Sequence, residues 1–118
     1  SSDRNVKRDF ATVDTSEVLE KVSSLPISSW TYIADDKVRH LGPMAQDFYA
    51  AFDVGMNDKT ISMVDADGVA LAAIQGLNKK LEQNLEQKET EITALKQNVN
   101  ELKQLIESMN QRLNGGAR

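Results

Sequence analysis

Seven apolar residues near the C-terminal end of the chain are separated by alternating steps of three and four. They are Ile92, Leu95, Val99, Leu102, Ile106, Met109 and Leu113. This spacing puts apolar side chains at the a and d positions of three heptads, which predicts a coiled coil. A coiled coil needs at least two helices, and this chain has one such repeat, so the repeat predicts an oligomer. The residue types at a and d suit two strands as readily as three.

The heptad frame shifts upstream of this repeat. The same alternation is kept by Ile74, Leu77 and Leu81. Eleven residues then separate Leu81 from Ile92, which is four more than a heptad. Such an insertion is a stutter and locally unwinds a left-handed coil. It brings Asn84 or Lys88 towards the axis, where polar side chains favour register and oligomer state over stability.

The composition changes near residue 75, and this divides the chain. Every aromatic residue, the single histidine and both prolines precede that point. We therefore expect an α+β protein in which residues 1–68 form a small mixed head of short strands and two short helices. A long helix forms the coiled-coil stalk at 69–114, and residues 115–118 form a disordered tail. Only Gly76 weakens this helix, by about 1 kcal/mol, and the helix should end at Asn114–Gly115.

The first half of the head contains a predicted strand, helix and hairpin. Residues 9–13 favour a short strand. Asp14 is a suitable N-cap for a helix whose apolar face contains Val18, Leu19 and Val22, and Pro26 follows its end. Two strands, at 29–33 and 37–41, should then flank a turn at Asp35–Asp36.

The second half of the head contains a second helix and a last strand. Pro43 suits the first helical turn, where its missing N–H costs nothing. One apolar face of that helix contains Met44, Phe48, Ala51 and Phe52. The stretch "TISMVD" (60–65) favours a short strand, after which Asp65 or Asp67 can cap the long helix.

Composition excludes several classes of function. The net charge of −4 argues against nucleic-acid binding. No apolar run reaches the roughly 18 residues of a membrane span. The chain has no cysteine, one histidine and no glycine-rich phosphate loop, so we expect neither a metal nor a cofactor. A Ser-His-Asp triad could use only His40, and a lone histidine is more often structural.

The N-terminal stretch "SSDRNVK" is the strongest candidate for chemistry. A serine hydroxyl becomes a nucleophile when a neutral amine accepts its proton. Lys7 can do this if its amine is neutral, and Arg4 and Arg8 favour that state because like charges disfavour another ammonium. From these residues alone the signal is weak, since such pairs are common and a charged, solvated start is the alternative.

Four ordered motifs resemble a known family. They are "SDRNVK", "LPISSWTY", "HLGPMAQDF" and "MVDADGVALAAIQGLNKKLEQ". Together they are similar to the intramolecular chaperone auto-processing domain at the C-terminus of phage tailspikes and tail fibres, of the endosialidase type. Related domains occur in bacterial surface proteins and in myelin regulatory factor. The resemblance covers about residues 1–83. Two features depart from it: Ala66 replaces an aromatic residue, and the serine is doubled.

The resemblance implies a homotrimer that helps the preceding fibre to fold and then releases itself by autoproteolysis. Carried over by position, Ser2 is the nucleophile and Lys7 its base, with Ser1 as the alternative nucleophile. Supporting positions are Asp3, His40, Gly42 and Gln46. His40 either supports the fold or takes part in catalysis, whereas Gly42 is expected to serve backbone geometry. The expected location is a phage virion tail or a bacterial cell surface.

Five residues of separation do not place Ser2 and Lys7 on one face of a helix or strand. A turn, or a neighbouring protomer, must therefore bring them together. The alternative function is a non-catalytic trimerisation module or a receptor-binding fibre tip, for which the head and coil would look the same. A transcription-factor fragment is a weaker third reading, because its DNA-binding part would lie upstream.

Overall fold

The computed structural model describes residues 1–116. The chain divides into two compact units, Ser1–Lys80 and Leu81–Arg118. A small mixed head followed by a long C-terminal helix confirms the predicted α+β class. In chain order, the elements are a short 3-10 helix (Arg4–Val6), α1 (Thr15–Ser24), β1 (Ser28–Tyr32), β2 (Asp35–Gly42), α2 (Ala45–Phe52) and α3 (Met63–Gly116).

Helix α1 forms as the sequence predicts. The Asp14 carboxylate accepts hydrogen bonds from the backbone N–H groups of Ser16 (3.1 Å) and Glu17 (3.2 Å). These bonds satisfy two of the donors that a helix start leaves free. The helix ends at Leu25, whose N–H donates to Val22, and Pro26 follows. The predicted apolar face of α1 is half-buried.

The strand predicted for residues 9–13 is wrong. These residues have no regular structure, and the head's sheet contains only β1 and β2. Asp9 has a φ of 57°, in the left-handed region, which interrupts the extended conformation of a strand. Without a neighbouring strand to pair its backbone groups, alternation alone does not produce a strand.

The predicted hairpin is confirmed, but its turn lies earlier than expected. β1 and β2 are antiparallel, with Trp30 opposite His40 and Tyr32 opposite Asp35. The turn is therefore at Ile33–Ala34 instead of Asp35–Asp36. A register shift between Trp30 and Tyr32 accommodates the difference. Packing of the Trp30, Tyr32 and His40 rings across the two strands outweighs the local turn preference of the aspartates.

Helix α2 begins after its predicted start. Met44 is the N-cap, so Pro43 precedes the helix instead of occupying its first turn. Phe48 is the most buried apolar side chain of the described residues, at 4% exposure, and its ring centroid is 5.0 Å from that of Phe52. Met44, which was predicted on the same face, is exposed.

The last predicted strand, at residues 60–65, is also wrong, because α3 starts at Met63. The Ser62 carbonyl accepts the first helical hydrogen bond from Ala66 N–H (3.0 Å). Asp65 thus lies inside the first turn instead of capping the helix, and its negative charge favours the helix start. Asp67 lies further along the helix and does not cap it either. The spacing of Ser62 and Asp65 is that of a capping box, which overrides the β preference of the neighbouring residues.

At its other end, α3 continues to Gly116 instead of ending at Asn114–Gly115. Neither Gly115 nor Gly116 adopts the left-handed conformation that terminates many helices. Of the tail predicted for residues 115–118, Ala117 and Arg118 lie outside the described residues. Among residues 1–116, no helix has both the length and the apolar character needed to cross a membrane.

Helix α3 approaches α1 closely at Gly76. A Cβ added at Gly76 would lie within 3.0 Å of both the carbonyl carbon of Thr15 and Cβ of Leu19, and it would overlap the Thr15 oxygen. Gly76 is therefore required for close approach of the two helices. Small or half-buried residues precede it at helical spacing: Ala66, Val69 and Ala73. Ala66, the position where the resembled family has an aromatic residue, belongs to this stripe.

The hydrophobic core of a single chain is very small. Within residues 1–116, only Phe48 and Ala73 are buried apolar residues. The seven residues of the predicted coiled-coil seam are all exposed, as are many large apolar side chains of the head. A chain with this little buried apolar surface lacks the usual driving force for folding alone.

Candidate functional site

A single 3-10 turn separates the predicted nucleophile from its predicted base. The Asp3 carboxylate accepts from Asn5 N–H (2.9 Å) and from the Asn5 side-chain amide (3.1 Å), which caps the turn. Val6 N–H donates to the Asp3 carbonyl at 3.2 Å, and Lys7 N–H donates to the Arg4 carbonyl at 3.3 Å. Asp3 thus caps the turn between Ser2 and Lys7. Its role in supporting the site stays a prediction.

The two serines of the doubled start differ in their contacts. The Ser1 hydroxyl oxygen accepts a hydrogen bond from Asp3 N–H at 3.2 Å. Within residues 1–116, the Ser2 hydroxyl has no hydrogen-bond partner. Ser1 is therefore part of the local turn, whereas the Ser2 hydroxyl makes no such contact. The choice between Ser2 and Ser1 as the nucleophile stays a prediction.

Lys7 lies at the C-terminal end of the turn with an exposed side chain. In the part of the chain that the structure describes, it forms no ion pair and no hydrogen bond joins it to Ser2. The nearby Arg8 contacts Asp9 at 3.6 Å, and both side chains are almost fully exposed, so this pair adds little stability. A turn does lie between Ser2 and Lys7, but one chain does not complete the dyad.

His40 lies in a cluster of three aromatic rings on the hairpin. Its ring stacks on Trp30 with centroids 4.9 Å apart, and Tyr32 meets it edge-on at 5.1 Å. The centroids of Trp30 and Tyr32 are 4.8 Å apart. No hydrogen bond joins His40 to Ser2 or Lys7 within residues 1–116. In a single chain, His40 thus has the contacts of a structural residue.

The remaining supporting residues flank the junction of β2 and α2. Gly42 ends β2 opposite Ser28, and Gln46 is exposed in the first turn of α2. A Cβ added to Gly42 would meet no atom within 4 Å, and its φ lies outside the left-handed region. The backbone reason expected for this glycine is therefore not found in one chain. The functional roles of Gly42 and Gln46 stay predictions.

Two buried polar atoms lack partners among residues 1–116, Trp30 Nε1 and Thr15 Oγ1. An unpaired buried donor costs about 1–3 kcal/mol. Both atoms lie at packed positions: Trp30 under the His40 stack, and Thr15 against Gly76. The described residues contain no group of three or more His, Asp or Glu side chains that could hold a metal ion.

Sequence reasoning missed the aromatic cluster and the role of Gly76. The cluster could have been found by placing the turn so that Trp30 pairs with His40. The Gly76 contact could have been found from small residues three and four apart in α3, namely Ala66, Val69, Ala73 and Gly76. A search for large apolar residues alone does not find this stripe, because close helix packing requires small side chains.

A comparison with protein families supports the resemblance noted in the sequence. Residues 2–56 match a peptidase family model described as chaperone of endosialidase. The match includes Ser2, Lys7 and the His40–Gln46 block, and it ends before α3. No curated protein matches the chain. Residues 2–56 are therefore similar to the chaperone of endosialidase family, as the sequence motifs predicted.

Proposed function

We propose that this chain is an intramolecular chaperone that forms a homotrimer, helps a preceding fibre or spike segment to fold, and then releases itself by cutting at Ser2. The match to the family model supports the chaperone role and a peptidase-related domain. The proposed homotrimer rests on a single observation, which is the exposed apolar surface of one chain. Within residues 1–116 only Phe48 and Ala73 are buried apolar residues, and the entire heptad seam is exposed.

Trimerisation would cover this surface. The apolar seam of α3 then becomes the core of a three-stranded coiled coil, in which each a and d side chain packs between residues of its neighbours. Burial of a Leu, Ile or Val side chain contributes about 1.5–3 kcal/mol. The coil also holds three preceding chains in register and at high local concentration, which favours folding of a trimeric fibre.

The cleavage step uses only groups of the N-terminal turn and water. Ser2 Oγ attacks the carbonyl carbon of the residue before it, and the neutral Lys7 amine accepts the hydroxyl proton. The C–N bond breaks as the Ser2 nitrogen takes a proton, which leaves an ester on Ser2. Water then hydrolyses that ester, producing a carboxylate on the preceding residue and restoring the Ser2 hydroxyl. Each chain cuts itself once, so no substrate pocket is needed.

Intact mass spectrometry of a precursor tests this proposal. The chain is expressed with the natural sequence that precedes it, beside Ser1→Ala, Ser2→Ala, Lys7→Ala and Lys7→Arg variants. The parent and Ser1→Ala should split before Ser2. The other three should remain whole, because alanine removes the nucleophile or base and arginine keeps its proton near neutral pH.

The pattern of cut and uncut variants also separates the alternatives. Splitting of Ser2→Ala with loss of cleavage in Ser1→Ala would assign the nucleophile to Ser1. A parent that stays full-length while it sediments as a trimer would contradict autoproteolysis. That result would instead support the second candidate, a non-catalytic trimerisation module, which the exposed heptad seam also favours.

A further inference from the structure

The N-terminal arm, residues 1–13, is unusually unsupported in a single chain. Every residue of the arm is exposed. Within residues 1–116, the backbone of residues 8–13 makes no hydrogen bond. Three apolar side chains nevertheless project from the arm: Val6, Phe10 (70% exposed) and Val13. The arm contains three basic and two acidic residues.

A second surface of the head has complementary properties. The acidic segment, residues 53–67, contains four aspartates and one lysine. It holds its own conformation, because the Asn57 side chain accepts from the N–H groups of Lys59 (2.9 Å) and Thr60 (3.2 Å). Met56 (92% exposed), Met63 and Val64 are exposed among these carboxylates.

Some of the charges on the two surfaces lack partners in one chain. Within residues 1–116, Arg4 of the arm forms no ion pair, and neither do Asp53 and Asp67 of the acidic segment. No hydrogen bond or ion pair among these residues connects the arm with the acidic segment of its own chain. Each surface therefore offers an exposed apolar group beside unpaired charge, and the two charges are opposite in sign.

We propose that the arm of one chain docks on the acidic segment of a neighbouring copy of this chain. Phe10 would pack on the exposed methionines, and the arginines of the arm would face Asp53 and Asp67. The contact rests on the proposed homotrimer and specifies how its heads are joined. Opposite charges bring the arm to this surface, and burial of Phe10 and the methionines keeps it there.

The contact is heterologous, because it joins two different surfaces. Heterologous contacts close into a ring when each copy supplies one surface of each kind and the rotation closes. In a trimer, three arms would occupy three acidic segments and leave none unfilled. Since Ser2 and Lys7 lie on the arm, docking would place them against the neighbouring head, which would complete the site that one chain leaves open.

Chemical crosslinking tests the contact directly, because the chain contains no cysteine. The full chain is prepared with Thr12→Cys in the arm and Met56→Cys in the acidic segment, and treated with a flexible bis-maleimide. Single-cysteine variants show how much arm-to-arm or segment-to-segment linkage occurs. A matched pair, Thr12→Cys with Ile33→Cys, reports random encounters, because Ile33 is fully exposed at the hairpin turn.

The docked pair should form covalently linked trimers several-fold faster than the matched pair. Both cysteine pairs share the high local concentration that the coil provides, so a difference in rate reports docking of the arm. Equal rates for the two pairs, or linkage within one chain, would overturn the proposal. Sedimentation of the untreated protein separates this failure from the failure of trimerisation.

A charge test uses neutral variants of the same shape. Asp53→Asn with Asp67→Asn should slow crosslinking by about fivefold, since exposed ion pairs are individually weak. Asparagine retains the left-handed backbone of Asp53. Asp35→Asn with Asp36→Asn makes the same change of net charge at the hairpin and should leave the rate unchanged. If both double variants slow crosslinking equally, the acidic segment is not the docking surface.

Discussion

Two apolar stripes of helix α3 differ in whether their own chain covers them. The stripe of small residues that includes Ala73 and Gly76 is buried, and Gly76 lies against α1. The seam from Ile92 to Leu113 is exposed throughout. Both stripes have steps of three and four residues, so spacing alone does not distinguish them.

Side-chain size accounts for the difference. Small residues let the α1 backbone approach α3 closely, so this contact can form within one chain. The large residues of the seam need knobs-into-holes packing against equally large residues, and the described head contains no exposed helix with such a heptad pattern. The first stripe therefore stabilises the head of each chain, whereas the second is available for association of chains.

Breaking the seam should have the largest effect, because the same substitution acts in every chain of the oligomer. Ile106→Asn puts a polar side chain at an a position and removes burial of about 1.5–3 kcal/mol per chain. We expect the trimer to dissociate at micromolar concentration. Gln104→Asn, on the exposed outer side of the helix, is the matched control and should remain trimeric. Sedimentation equilibrium measures both.

Two outcomes of that experiment would contradict the proposed role of the exposed seam. If Ile106→Asn remains a trimer, the exposed seam is not the principal oligomer contact. If the unchanged chain is a dimer or a monomer, the homotrimer itself is wrong. Either result would leave the packing of α1 against α3 unaffected, because that contact lies within Ser1–Lys80.

Truncation of the buried aromatic residue in α2 should have the next largest effect. Phe48→Ala removes the most buried large side chain of the described residues and should lower the free energy of unfolding by about 3–5 kcal/mol. Ile33→Ala truncates a fully exposed side chain at the hairpin turn and should leave the unfolding of the head nearly unchanged. Thermal unfolding is followed at one fixed chain concentration, because oligomers unfold in a concentration-dependent way.

A similar loss of stability in Ile33→Ala would mean that the loss in Phe48→Ala does not report the burial of that side chain. A small loss in Phe48→Ala would mean that the trimer, and not the packing within one chain, supplies nearly all of the stability. The second outcome would weaken the contrast between the two stripes of α3, because the head would then have no stability of its own.

The sequence predicted those elements whose signals are local. Helix α1 formed because Asp14 caps it and its apolar residues recur at helical spacing, and the hairpin formed from two β-favouring runs. The strands expected at 9–13 and 60–65 failed because strand formation depends on a partner strand, which a local pattern does not reveal. The turn shifted to Ile33–Ala34 because ring packing between Trp30 and His40 acts across the hairpin.

For the candidate site, motif similarity selected Ser2, Lys7 and the His40 block, and their roles stay predictions. The structure shows a turn capped by Asp3 between Ser2 and Lys7. The arrangement of these groups could not be predicted, since in one chain neither His40 nor Lys7 contacts Ser2 by a described hydrogen bond. Contacts that depend on another chain leave no periodic pattern along the sequence of the arm.

Filling the space at Gly76 should have the smallest of the three effects and tests the buried stripe most directly. Gly76→Ala adds one methyl group where the Thr15 carbonyl already lies, so α1 must move away from α3. Overpacking of this kind costs about 1–3 kcal/mol.

Gly68→Ala, in the same helix, is the matched control, because its added Cβ meets no atom within 4 Å. That change should stabilise the protein by about 0.5–1 kcal/mol, since alanine favours helix over glycine. Denaturant unfolding of both variants measures the difference in sign. If both are stabilised, helix propensity dominates, α1 does not pack closely on α3 in solution, and the small residues of that stripe do not hold the head together.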